Sequence, residues 1–337
     1  MNSTYRQLLV EHQKDLTSQL NYLMSLKASR VEGMIIEHEA ESAFFNSSLQ
    51  KHGWRKFTSR VLFCGGRIDG SYRQWFSVVF DESADSSDCK LVQQALAKSG
   101  YPVRLLDVRG ENPIYRHDIH GSKLTNPATL FFSETEPADE SVLDEAKVKS
   151  VFWGYAIHNP DLVNRFVSDT ILKDHYVSEG HSRNGKPNVF ISDVDALLIG
   201  PEDKVAIIEI KHKHKSNDAM IGLNNAPSKM ALALVENQMQ FVYLFLEKPH
   251  RDLKSTMYLY FDRENRQQAR WLACGLQVED LNGQTKDAPA HTAIGGRQGV
   301  SYVPIPYNRF NPLGNNYEHS SKLQAPFVDL LMRSGKK

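Results

Sequence analysis

Two apolar runs, Ala196 to Ile199 and Val205 to Ile210, lie inside the stretch SDVDALLIGPEDKVAIIEIKHKHK, and both carry charge. Short apolar runs on either side of a turn are suited to the middle of a sheet. Yet Asp193 and Asp195 open the first run, Glu209 interrupts the second, and Lys211 follows it. Side chains alternate across a strand, which puts Asp193 and Asp195 on one face. Glu209, Lys211, Lys213 and Lys215 share one face of the next strand while it stays extended. Ionised carboxylates buried without partners cost several kcal/mol or more, so such a cluster protonates, pairs with lysine or binds a cation. A hard divalent ion needs only one or two carboxylates, completed by water and a substrate phosphate. The lysine would then orient and acidify a water or stabilise charge on the phosphate under attack. The chemistry indicated is metal-assisted hydrolysis of a phosphodiester.

The rest of the composition sets bounds. With 337 residues, 41% of them apolar, the chain can build one large domain or two ordinary ones. Lys plus Arg and Asp plus Glu both number 40, so a nucleic-acid partner has to be met by a local basic patch and not by a global field. Cys64, Cys89 and Cys274 are too scattered for a disulfide framework or a paired-cysteine zinc site, which fits a reducing interior. The N-terminus lacks the layout of a signal peptide and no apolar run is long enough to span a bilayer, so the expected location is cytoplasmic, away from membranes.

Along the chain, residues up to about Gln50 are rich in helix formers. Gln74 to Glu82 reads as a strand, Cys89 to Gly100 as a helix closed by glycine, and Pro102 to Val108 as a strand. This predicts an N-terminal α/β or α+β region over residues 1–150, closed by the acidic connector Ser133 to Lys147. Asn159 and Pro160 then open a helix. His175 to Gly180 reads as a short strand, His181 to Asn188 as a turn and Val189 to Ile199 as a second strand. Gly200 to Asp203 turns into a third strand, followed by a long helix from about Ser228 to Glu247 and a strand from Thr256 to Arg263. The predicted order over residues 151–263 is helix, three strands, helix, strand, with residues 264–337 as an extension packing on that core.

Asp195, the turn, and Glu209-Ile210-Lys211 at the end of an apolar strand resemble the PD-(D/E)XK, or restriction-endonuclease-like, nuclease superfamily. Gln240-Phe241-Val242-Tyr243 is similar to the Gln-x-x-Tyr signature of its RecB-like members. The resemblance covers about Phe152 to Arg263 and implies an α/β fold with a mixed central sheet flanked by helices. It further implies a Mg²⁺-dependent nuclease, with Mn²⁺ able to substitute, acting on nucleic acid and foremost on DNA, in restriction, repair or phage defence. Asp195 and Glu209 would be the metal carboxylates, the carbonyl of Ile210 a further ligand, Lys211 the catalytic lysine, and Gln240 a support for lysine or phosphate. Asp193 competes with Asp195, no proline precedes Asp195, and the family's extra upstream acid has several candidates in Asp169, Asp174, His175 and Glu179. Tyr243 is an additional candidate for the site. Many members act as dimers, which makes a homodimer or a partner protein an expectation.

Plainer readings stand beside these. Glu-x-Lys on a strand is an ordinary exposed ion pair, and Lys213 and Lys215 are either a solvated strand end or phosphate contacts. His212 and His214 offer a metal pair without a third ligand at a convincing spacing. The glycine-rich stretches Cys64 to Gly70 and Gly295 to Gly299 lack the context of a phosphate loop. The rival function is a non-catalytic module that binds nucleic acid or serves assembly while keeping a nuclease-like core.

Overall fold

The computed structural model describes residues 4–26, 28–68, 71–82, 84–116, 146–178, 189–214, 219–249, 256–260, 262–283, 285–287, 301–316 and 318–333. The chain opens with helices α1 (Tyr5–His12), α2 (Leu16–Ser25), α3 (Ala28–Phe44) and α4 (Ser47–Gln50), then strand β1 (Arg55–Lys56). There follow β2 (Val61–Ile68), β3 (Ser71–Phe80), α5 (Ser86–Ala97), β4 (Val103–Asp107), β5 (Ile114–Arg116), α6 (Ala146–Ile157), α7 (Pro160–Ser178) and β6 (Val189–Asp193). The remainder holds β7 (Ala196–Ile199), β8 (Val205–Lys213), β9 (Met220–Asn224), α8 (Asn225–Glu236), β10 (Gln240–Glu247), α9 (Arg263–Gln268) and β11 (Arg270–Gly275). It closes with α10 (Val278–Leu281), β12 (Lys286–Asp287), β13 (Ser301–Pro306), β14 (Asn311–Asn315) and α11 (Ser320–Arg333). The class is mixed α/β, with mixed sheets flanked by helices. Among the described residues no helix is long and apolar enough to cross a membrane.

The chain divides into two compact units, one of Met1–Lys27 with Thr58–Asp193, the other of Ala28–Phe57 with Val194–Lys337. The boundary expected near residue 150 is therefore corrected. β6, assigned to the core region by sequence, pairs with β2 of the first unit, whereas α3 and β1 belong with the C-terminal half. The first unit is built on a five-stranded sheet, β5-β4-β3-β2-β6, with β3 and β4 parallel around α5. Phe63 and Phe76 pack on Tyr101 in its core, and Arg60 joins β2 to α7 through Asp81 and Asp169.

The second unit holds the six-stranded sheet β1-β7-β8-β10-β11-β14 and the small sheet β12-β13-β9. β7 is antiparallel to β8, and β8 is parallel to β10, the connection between them carrying β9 and α8. Three secondary-structure expectations fail, two of them in this unit and one in the first. The long helix is instead α8 followed by β10, because the chain turns at Asn237 and at Gln238, whose φ is +63°. The eight residues that follow are all buried, as in a strand covered on both faces, and periodicity does not separate such a run from a buried helix. The last expected strand is a 3-10 turn at Met257–Tyr260, and His175 to Ser178 continue α7. The expected turn at His181 to Asn188 lies outside the described residues.

α3 presents Ile36, Ala40 and Phe44 at helical spacing to a core that includes Ile208 and Ile210 of β8 and Val242, Leu244 and Leu246 of β10. Phe44 meets the Trp271 ring edge-on at 5.4 Å and the Phe327 ring at 5.3 Å, and all three side chains are fully buried. Phe44→Ala is expected to lower the stability of the second unit by about 3–5 kcal/mol, the cost of a cavity where an aromatic ring was removed. Urea unfolding followed by tryptophan fluorescence checks it, and a loss below about 1 kcal/mol would mean that this contact does not fix α3 to the sheet.

Candidate active site

The single strand expected from Val189 to Ile199 is two strands in two sheets. Asp193 ends β6 opposite Leu62 of the first unit, and Asp195 stands at the bend that leads into β7 of the second. The two carboxylates therefore do not share a strand face. The β7–β8 ladder stops at the pair Ala196 and Ile208. Beyond it the amide of Ile210 donates to Oδ2 of Asp195 at 2.6 Å, so a side chain completes the backbone bonding where the strands part.

Lys211 lies at the centre of the resulting cluster. Its Nζ is 2.6 Å from Oε1 of Glu209, 3.2 Å from Oδ2 of Asp195 and 2.9 Å from the carbonyl oxygen of Ile210. The carboxylate side chains are only 2% and 3% exposed, for Asp195 and Glu209, while that of Lys211 is 30% exposed. Burial by itself would lower the pKa of Lys211. The charges of Asp195, Glu209 and Glu37 outweigh it and hold the ammonium well above the ordinary lysine value. Glu37 comes from α3, a contribution that sequence reading missed. The signal available was a glutamate on a helix whose Ile36 and Ala40 face the core of the same sheet.

Of the other expected site residues, Gln240 is not brought to the cluster. It lies beside Ala206 near the start of β8, and its Nε2 donates to the carbonyl of Leu331 at 3.1 Å. Tyr243 is level with Glu209 on the neighbouring strand, but its hydroxyl donates to the carbonyl of Gly222 at 3.1 Å. Asp169 is committed to Arg60 in the first unit. Asp174 and His175 fall within α7, and Glu179 and Lys215 lie outside the described residues. His212 and His214 do not form a metal pair: Nδ1 of His212 meets the Thr256 hydroxyl at 2.5 Å, and Nδ1 of His214 meets the carbonyl of Lys248 at 3.2 Å.

The donor set suits a hard divalent cation. Three oxygens from Asp195, Glu209 and Ile210 already converge on one positive centre, and one or two carboxylates are what Mg²⁺ asks of a protein. Among the described residues no three His, Cys, Asp or Glu side chains are grouped to hold a metal unaided, so water and substrate oxygens would complete the shell. The chain matches no family model, no curated protein and no solved structure.

His212 is part-buried, and its desolvation together with the nearby cations Lys248, Lys211 and Lys213 pushes its pKa down to about 3 from 6.5. Between those values the unfolded chain holds a proton on this ring that the folded chain does not. The stability contribution is thus full above about 6.5 and is lost as pH falls toward 3. His212→Gln is expected to flatten the decline of unfolding free energy between neutral pH and about pH 4, as read by urea titration at a series of pH values.

Proposed function

We propose that this chain is a divalent-metal-dependent nuclease that hydrolyses phosphodiester bonds, with DNA as the first substrate to test. The observation that carries the reading is the convergence of Asp195, Glu209 and the Ile210 carbonyl on the Lys211 ammonium, at the point where β7 and β8 part. The order of strands supports it. A carboxylate precedes one strand, Glu-x-Lys lies on its antiparallel neighbour just beyond their last paired residues, and the chain returns through α8 to a parallel strand, as expected of a restriction-endonuclease-like core. The displaced Gln240 removes one element of that likeness and leaves the carboxylate-lysine cluster as its centre.

Asp195, Glu209 and the Ile210 carbonyl would hold Mg²⁺, or Mn²⁺ in its place. When bound, the ion supplies neutralisation of phosphate charge and acidification of a water. Paired with the two carboxylates, Lys211 is held as an ammonium and is a hydrogen-bond donor. Its role is to orient the attacking water or to hydrogen-bond the phosphate oxygens as charge builds on them. Burial of the two carboxylates keeps them directed at that one point.

A second reading, a non-catalytic module that binds nucleic acid, is favoured by one observation: Lys211 already satisfies both carboxylates without any ion. The two readings part in a cleavage assay on linear, circular and single-stranded DNA with Mg²⁺, Mn²⁺ or EDTA. Asp195→Asn, Glu209→Gln and Lys211→Met are each expected to lower cutting by about 10²-fold or more relative to the metal-activated wild type. Variants that cut as fast as wild type would remove the catalytic assignment. DNA binding without turnover in any metal would favour the module.

A further inference from the structure

Beyond the cluster, β8 carries a second lysine that the proposed chemistry does not use. Lys213 follows Glu209 and Lys211 on the same strand face. Its ammonium donates to the carbonyl of Gly222 and lies 3.5 Å from Oδ1 of Asn224, both on β9. Those partners are neutral. Among the described residues no carboxylate stands within ion-pair distance of it. Glu247, level with Lys213 on β10, is the nearest in register, but its Oε2 is taken by Nε of Arg270 at 2.5 Å and by the Tyr307 hydroxyl at 2.9 Å.

The lysine is also held in place. The Gly222 carbonyl accepts from the Tyr243 hydroxyl as well, which fixes the oxygen that fixes Lys213. A Cβ at Gly222 would meet the Tyr302 ring at 2.7 Å, so β9 packs against β13 at this point only with glycine there. Burial, reinforced by the like charge of Lys211 and only partly offset by the charge of Glu209, lowers the pKa of Lys213 to about 8. A part-buried cation costs free energy unless an anion compensates it. An ammonium has three donors, and the third has no protein acceptor among the described residues.

We propose that Lys213, set by Gly222 and Asn224, is a subsite for a phosphate flanking the one attacked, so that the chain prefers a polymer of phosphodiesters over a single phosphodiester. This deepens the nuclease reading by assigning a second phosphate position on the strand face that carries Glu209 and Lys211. Phosphate contacts made by lysine release counterions, and each contact adds about one to the slope of log affinity against log salt.

The test is binding, read in EDTA so that no cutting enters. Full-length wild type, Lys213→Gln, Lys213→Arg and Asn224→Asp are titrated with a short single-stranded oligodeoxynucleotide and with a dinucleotide holding one phosphodiester, across a salt series. Asn224→Asp is isosteric at an exposed position and gives Lys213 a carboxylate that none of the described residues places within ion-pair distance, so it serves even where Lys213→Gln does not fold. Lys213→Gln and Asn224→Asp are expected to bind the oligonucleotide roughly tenfold more weakly, with the slope reduced by about one, while Lys213→Arg keeps the slope. The dinucleotide is expected to show a much smaller loss. Wild-type slopes in both charge-altering variants would overturn the subsite. An equal loss for the dinucleotide would overturn the flanking position and put Lys213 at the reacting phosphate. Glu209→Gln, whose cutting tests the reaction, is expected to retain the same dependence on Lys213, so failure of the chemistry and failure of the subsite are told apart.

Discussion

The ammonium of Lys211 is what allows the second unit to place two carboxylates, almost wholly buried, where β7 and β8 part. Gross attraction at 2.6 and 3.2 Å is about 5–6 kcal/mol per pair at an effective dielectric near 20. The cost of desolvating each ion is of the same order. The two terms nearly cancel, so stability gives little reason to keep such a cluster on a strand face where Ile207, two residues before Glu209, is apolar and fully buried. A function that exchanges partners around the carboxylates gives a better reason. The lysine is also the most exposed of the three.

The local part of this arrangement was legible in the sequence. Glu209 and Lys211 had to share a face because strands alternate, and Asp195 had to lie near them because a short turn joins the two runs. The continuity of the strand carrying Asp193 and Asp195 was not legible. Nothing in SDVDALLI marks the point where the chain passes from one sheet to another, because both halves have strand-forming composition. The passage is set by the partners, β2 for one half and β8 for the other.

Gln240 shows the other limit. QFVYLFLE has no period that distinguishes a helix from a strand buried on both faces, and a helix was the natural reading after ALALVENQ. The break depends on Gln238 adopting a left-handed backbone conformation, which is uncommon outside glycine and asparagine and leaves no strong mark in composition. Once β10 is a strand, Gln240 falls level with Ala206 and far along the ladder from Lys211, which is level with Phe245. Glu37 was hidden for a different reason. Its helix is remote in the chain from the strands it serves, and helical pattern reports a buried face without naming what covers it.

That remoteness follows from an insertion. The second unit starts at Ala28, breaks off at Phe57 and resumes at Val194, with Thr58–Asp193 of the first unit between. Closing so long a loop would cost roughly 4 kcal/mol if the inserted segment were a flexible chain. Each unit meets that requirement by its own pairing. In the first, β2 and β6 are antiparallel with Leu62 opposite Asp193, so the segment's two ends leave side by side once the sheet forms. In the second, Phe57 donates its amide to the carbonyl of Leu197 beside the β1–β7 pair, so the ends to be joined there are also adjacent. Matching close ends is the condition under which one folded unit can interrupt another. It is also why Glu37 and Asp195, far apart in sequence, belong to one unit.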